Sequence, residues 1–320
     1  MRTFVATVVV AGMVAALSAT AQTYPERQIR TVVPFPPGGG FDNIARVVAP
    51  VMAKELGQPV VIENRAGATG QVGTEAVARA KPDGYTLLYG GVGPLAIAPH
   101  LRAVPYDTLK DFVAISMLGI NDGLIVVHPS FPAADVGTFV AALKQAPGKY
   151  SFATAGAGSV PHLVGELFKT RAGVAMAHIP YKGDAPAMTD VIGGTVPIMI
   201  TVLATAAPFV QSGQVRPIAA LGAKRFSQLP NVPTLQEAGF PGLTGGTWLA
   251  LYAPAGTPDA VITRLNAAVK AALSDREVTE RLTAQGTRPA YSSPGELATF
   301  TRDEFERWGR IVHERGIKAE

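Results

Sequence analysis

The stretch Arg30-Thr-Val-Val-Pro-Phe-Pro-Pro-Gly-Gly-Gly-Phe41-Asp42, continued by Asn43-Ile-Ala-Arg-Val-Val-Ala-Pro-Val-Met-Ala-Lys-Glu-Leu56, sets the reading of the whole chain. It reads as a short apolar strand, a proline- and glycine-rich turn, and a helix whose positions Ile44, Val47, Val48, Val51, Met52 and Leu56 keep the spacing of one buried face. A strand that empties into a helix start is a ready anion site. Gly38, Gly39 and Gly40 lack a Cβ, so a ligand can approach the backbone, and the first-turn N–H groups and helix dipole point toward it. Asp42 is read as the N-cap. A tight βα turn that binds nothing explains this stretch alone equally well.

Strand, helix, strand, helix, strand follows through Pro59-Val-Val-Ile-Glu63, a helix ending at Ala80, and Tyr85-Thr-Leu-Leu-Tyr89. That alternation predicts a parallel sheet with ligands beyond the carboxyl ends of its strands, where Gly91 in the turn Gly90-Gly-Val-Gly-Pro94 also falls. The runs 112–118 and 123–127 read as two further strands, and after His128-Pro-Ser-Phe-Pro132 the alternation starts afresh. Tyr150-Ser-Phe-Ala-Thr154 then discharges into Ala155-Gly-Ala-Gly-Ser159 and a helix, repeating the opening pattern with Ser159 as N-cap and Pro161 in the first turn. Asp184 opens the helix after Tyr181-Lys-Gly183 and is read as its cap. Thr247-Trp-Leu-Ala-Leu-Tyr-Ala253 is a strand crossing back to the first unit, and Thr257-Pro-Asp259 and Ser293-Pro-Gly-Glu296 open closing helices.

At 320 residues and 48% hydrophobic, the chain supports two domains with cores of their own. The net charge of +4 is thinly spread, which excludes a nucleic-acid grip. Residues 1–21 carry one early Arg, an apolar run and Ala19-Thr-Ala21, the pattern of a secretory signal peptide cleaved after Ala21, with an uncleaved anchor as the rival. The absence of cysteine excludes disulfides, thiolate chemistry and a lipid-modified cysteine. No later apolar run approaches the roughly 20 residues of a membrane span.

Reactive constellations are missing. Ser159 stands between Ala157 and Pro161 rather than in a G-x-S-x-G elbow. The five histidines (His100, His128, His162, His178 and His313) stand singly in the sequence, no H-E-x-x-H or phosphate-loop motif occurs, and Ala96 breaks the nearest dinucleotide fingerprint. No cofactor or metal is expected.

The ordered motifs Phe35–Asp42, Glu63-Asn-Arg-Ala-Gly-Ala-Thr-Gly-Gln-Val-Gly73, Lys81-Pro-Asp-Gly-Tyr-Thr-Leu-Leu88, Ala155–Ser159, Pro180-Tyr-Lys-Gly183, Leu229-Pro-Asn-Val-Pro-Thr-Leu-Gln-Glu-Ala-Gly239, Ala253-Pro-Ala-Gly-Thr-Pro258 and Trp308-Gly run through nearly all of the chain. In these the sequence resembles the extracytoplasmic solute receptors of tripartite tricarboxylate transporters, the Bug proteins. The resemblance implies an α/β fold of the type II periplasmic-binding-protein kind. Its two domains, 22–122 plus 244–320 and 123–243, are joined by crossing hinge strands near 122–124 and 243–247. It implies a periplasmic monomer that closes on a small organic acid and delivers it to a membrane transporter. A sensor kinase as partner, or a secreted α/β hydrolase, are the alternatives.

Carried onto this sequence, the ligand carboxylate is expected at backbone amides of two turns. The first is Phe35, Gly38, Gly39, Gly40, Phe41 and Asp42; the second is Thr154, Ala155, Gly156, Ala157, Gly158 and Ser159. Phe41 departs from the small or hydroxylic residue expected there and would narrow the pocket or add an aromatic wall. Asp184 stands where relatives carry Ser or Ala. Should it face the cleft, it would pair with a ligand ammonium and repel a second carboxylate.

Overall fold

The computed structural model describes residues 24–315; the signal-peptide segment and its cleavage after Ala21 lie outside them. The first unit runs β1 (Ile29–Val33), α1 (Gly40–Leu56), β2 (Val60–Asn64), α2 (Gln71–Ala78), β3 (Thr86–Gly91), the short α3 (Ala98–Leu101) and β4 (Phe112–Val127). The second continues with α4 (Val136–Gln145), β5 (Ser151–Thr154), α5 (Val160–Ala172), β6 (Ala177–Pro180), α6 (Asp184–Ile192), β7 (Ile198–Val202), α7 (Leu203–Gln211) and β8 (Arg216–Ala220). The chain closes with β9 (Gly246–Pro254), α8 (Asp259–Ser274), α9 (Arg276–Ala284), β10 (Thr287–Pro289) and α10 (Pro294–Arg315).

The strands form one continuous path in the order β2-β1-β3-β9-β4-β7-β5-β6, with β8 and β10 also pairing along β4. β1 is parallel to β2 and β3, and β5 is parallel to β6 and β7, so two parallel βαβ cores sit at opposite ends. Antiparallel β9 and β4 join them. This is the mixed α/β architecture expected, with one correction. The two strands read at 112–118 and 123–127 are a single 16-residue strand, Phe112–Val127. Its first part pairs with β9 from Phe112 to Asp122 and its last with β7 from Gly123 to Val127.

Three segments meet where β4 changes partners. Gly123 N–H donates to Gly245 O at 2.8 Å, Gly245 N–H to Leu221 O at 2.8 Å, and Leu221 N–H to Gly123 O at 2.7 Å. The segment at Leu221, just past β8, is thus a third crossing beside the two that the sequence suggests.

α1 buries Ile44, Val48 and Met52 to 1% exposure or less, against β1, β3 and α8. Each such side chain is worth about 1.5–3 kcal/mol on burial. α5 does the same through Leu163, Val164 and Phe168 against Phe152 and Ile200. The two glycine corners are therefore the ends of firmly seated helices, and their backbone geometry is fixed by cores behind them.

Candidate functional site

Between the two corners lies a cleft of about 890 Å³ including its open mouth. One wall carries Phe35, Pro36, Pro37, Gly39, Gly40 and Phe41 from the start of α1; the facing wall carries Ala155, Ser159, Val160 and Pro161 from the start of α5. Lys182, Gly183, Asp184, Ala185 and Pro186 supply the third side, and Thr69, Val92, Gly93, Asn121, Val202 and Thr247 complete it. The lining is largely apolar with a few convergent polar groups, as small-molecule sites are.

The first corner is held from behind. α1 begins at Gly40 with Gly39 as N-cap, so Asp42 is not the N-cap but the third helical residue. Its carboxylate, 2% exposed, reaches back to accept from Gly38 N–H at 2.9 Å, and also from Arg46 Nε at 2.8 Å and Asn64 Nδ2 at 2.9 Å. Burial alone would push this carboxyl up; the hydrogen bonds from Arg46, Gly38 and Asn64, with the Arg46 charge, outweigh it and hold Asp42 below the usual carboxylate value. Asn64 also donates to Phe35 O at 3.1 Å, tying the loop to the end of β2. Asp42 and Gly38 thus shape the loop from outside the cleft, and the helix start at Gly40 and Phe41 presents N–H groups with no intrahelical acceptor.

Phe41 lines the cleft, its ring centroid 4.7 Å from that of Phe35. Gly91 lies behind this wall rather than on the cleft. A Cβ there would sit 2.3 Å from Phe41 Cζ and 2.8 Å from Trp248 O, so glycine is what lets the ring seat. Val92 and Gly93 line the cleft in its place.

In the second corner, much of the backbone is used by the loop itself. Gly156 N–H donates to Thr154 Oγ1, Gly158 N–H to His162 Nδ1 and Ser159 N–H to Gly156 O. Gly156 and Gly158 take φ of +149° and +74°, which glycine adopts readily. Thr154, Gly156 and Gly158 are buried within the loop, Ala155, Ser159 and Val160 line the cleft, and Ala157 faces Thr69 across it. Ser159 is the N-cap expected, its Oγ accepting from His162 N–H.

Beneath this loop the structure brings together two histidines that lie sixteen residues apart. His162 and His178 stack with centroids 3.9 Å apart, and His178 Nε2 is 2.8 Å from Thr154 Oγ1. Burial, then the His162 and Lys169 charges, pushes His178 down to about 3, so it is a neutral packing element at any ordinary pH. Among the described residues no cluster of three or more His, Cys, Asp or Glu is placed to hold a metal ion.

Asp184 is the first helical residue of α6 rather than its cap, which is Gly183. Its partly buried side chain lines the cleft and accepts from Thr201 Oγ1 at 2.8 Å. Burial pushes its carboxyl up, against hydroxyl donors Thr201 and Thr205 that pull it down. Asn121, 2% exposed, lines the cleft with an amide oxygen that has no hydrogen-bond partner. Asn121, Thr69, Lys182 and Thr247 were not singled out from the sequence, although Thr69 and Lys182 lie inside quoted motifs, because each stands on a different strand or loop and only the fold brings them together.

The two walls touch. Thr69 Oγ1 donates to Ala157 O at 3.5 Å, and a Cβ on Gly158 would come within 2.7 Å of Leu101 Cδ1.

A family model described as "Tripartite tricarboxylate transporter family receptor" matches residues 44–317. Protein BugT of Bordetella pertussis is 41% identical over 317 residues, 98% of this chain and 96% of that protein. Among solved structures, the periplasmic binding protein BugD superposes with TM-score 0.87 at 35% identity, covering 93% of this chain and 100% of that one. Rpa4515 of R. palustris, solved with adipate, gives 0.88 at 35% over 92% and 99%. MatC of Rhodopseudomonas palustris, with bound malate, gives 0.84 at 34% over 90% and 100%. With glycine corners, crossing strands and sequence in register over nearly its whole length, this chain belongs to the tripartite tricarboxylate transporter receptor family, of which the Bug proteins are members.

Proposed function

We propose that the protein is a periplasmic solute receptor that binds a small organic carboxylate between two lobes, closes on it by hinge motion, and delivers it to a tripartite tricarboxylate-type transporter. The observation that carries this reading is the opposition of two strand–glycine loop–helix corners, at α1 and α5, across one apolar cleft. Each helix start favours an anion by about 0.3–1 kcal/mol, and by more when partly buried. The lobes are 22–122 with 244–320, and 123–243. The carboxylate is held at the backbone of Gly39–Phe41 and of Ala155, Ser159 and Val160, with Gly38, Asp42, Gly91, Thr154, Gly156, Ala157 and Gly158 shaping the two loops around it.

The adipate and malate seen in two relatives of similar fold support a carboxylate as ligand. A binding role fits better than catalysis, because the Ser159 hydroxyl serves as a helix cap and, among the described residues, the cleft holds no nucleophile paired with a base. Family membership and the residue 1–21 pattern support export to the periplasm, and no helix among the described residues is long and apolar enough to cross a membrane.

The test is thermal-shift screening of the mature chain, residues 22–320, against organic acids. A ligand at 100 times its Kd adds about 2.7 kcal/mol to folding stability and raises the melting temperature. Turnover of an ester or amide by the purified protein, or failure of every carboxylate to shift the melting curve, would refute the reading.

A further inference from the structure

The cleft contains two features that a site built only for carboxylates does not need. Asp184 brings an anionic acceptor to its wall, and Asn121 brings a neutral one. Both are held by β4 and β7, which pair at this point with Gly123 opposite Val202. Thr201, fully buried on β7, fixes Asp184 through its hydroxyl, and the would-be Cβ of Gly40 lies 3.3 Å from the Asn121 amide and 3.9 Å from Val202. Asn121 therefore packs its amide nitrogen against the first glycine corner, while Asp184 lines the same cleft from the start of α6.

A ligand carboxylate only accepts hydrogen bonds. It has nothing to offer an Asp carboxylate or an unpartnered amide oxygen, and a second negative charge beside Asp184 in a half-closed apolar cleft is repelled with little screening. An ammonium has three donors and the opposite charge. It satisfies Asp184 and is the kind of partner that the buried Asn121 oxygen lacks, while the ligand's carboxylate takes the helix N-termini and Lys182, a cationic side chain of the lining.

We propose that Asp184, with Asn121, is the specificity determinant of this cleft, selecting carboxylates that also carry an ammonium group and rejecting dicarboxylates. This rests on the receptor reading above and sharpens it. It also parts from a simple transfer of adipate or malate from the relatives.

The experiment measures binding by the mature chain, at neutral pH and by calorimetry, of matched pairs that differ only in carrying ammonium or carboxylate at one end. These are β-alanine and succinate, 4-aminobutyrate and glutarate, and 5-aminopentanoate and adipate, with a set of L-α-amino acids alongside. The ammonium member of the best-fitting pair, or an α-amino acid, is expected to bind at least about tenfold tighter than any dicarboxylate, a gap of 1.4 kcal/mol. Asp184→Asn should lose about tenfold or more for that ligand and narrow the gap to the dicarboxylates. Asn121→Ala should shift the same ratio in the same direction by a smaller factor, and it stands in should the first variant fold poorly.

Tighter binding of a dicarboxylate by the unaltered protein overturns the proposal, since Asp184 would then be acting as a protonated donor. So does an unchanged ratio in both variants. Binding of carboxylates without any preference for ammonium removes this inference and leaves the receptor reading standing, whereas binding of no carboxylate at all removes both.

Discussion

Asp42 shows what one side chain contributes at this site without touching the ligand. The signal that made it legible, an acid just after the glycines, is shared by an N-cap and by an acid two residues further into the helix, and sequence alone does not separate them. The structure does, because only from the third helical position does the carboxylate reach back to Gly38 and across to Asn64. Asp42→Asn removes the charge and sets an amide donor against other donors, so a cost of about 1.5–3 kcal/mol is expected in urea unfolding at pH 7. The pH dependence has a definite sign. The folded-state carboxyl titrates below its unfolded value, so its contribution is complete above about pH 4, the unfolded value, and is lost as pH falls through the folded one. The difference between wild type and variant should therefore be constant from pH 7 to about 5 and shrink below about 4; a gap as large at pH 3 as at pH 7 would show that charge is not what Asp42 supplies.

The elements were legible where periodicity and turn chemistry agree. β1 with α1 and β5 with α5 each announce themselves by an apolar run, a glycine loop and a spaced apolar face, and both corners are where those signals place them. β4 was not legible as one strand because Gly119, Asn121, Asp122 and Gly123 break its apolar run and are poor strand formers. They are held extended by pairing the sequence does not display, Asn121 to Thr247, Asp122 to Gly246 and Gly123 to Val202. The role of Asp184 was hidden for the same reason, since it depends on a hydroxyl supplied by Thr201 from another strand. Gly91 was misplaced as a ligand contact because a glycine after a strand marks either a ligand or a neighbour's close approach, here the Phe41 ring and the Trp248 backbone. Gly91→Ala should therefore cost about 1–3 kcal/mol by overpacking β3 against α1 and β9. Adding Phe41→Ala frees the ring's space but not the Trp248 carbonyl, so a double-mutant cycle should return a coupling of about 0.5 kcal/mol or more. Strict additivity would show that ring and strand do not press on each other.

For the whole molecule, function depends on two seated glycine corners moving as bodies about a narrow crossing. Gly123, Leu221 and Gly245 exchange backbone hydrogen bonds there, and a Cβ on Gly123 would lie 2.2 Å from Gly245 O, so three strands pass at the closest spacing backbone allows. The hinge closure proposed above would work through small dihedral changes at this junction. Beside the crossing the lobes meet away from the cleft, where Gln228 Nε2 donates to Thr283 O, and at the cleft through one weak hydrogen bond. Thr69 reaches Ala157 from a loop in which Ala68 and Thr69 both hold left-handed φ, 45° and 55°, at a cost of about 1–2 kcal/mol for each non-glycine residue. A contact so modest stabilises the closed form without locking it, so ligand binding is what shifts the population. Small-angle scattering should accordingly give a smaller radius of gyration for ligand-saturated than for free protein. Thr69→Ala should raise the ligand's dissociation rate about 2–5-fold, the effect of one weak hydrogen bond, while the association rate into the open form stays unchanged. Equal radii with and without ligand, or a variant that slows association instead, would mean that the cleft fills without the lobes closing over it.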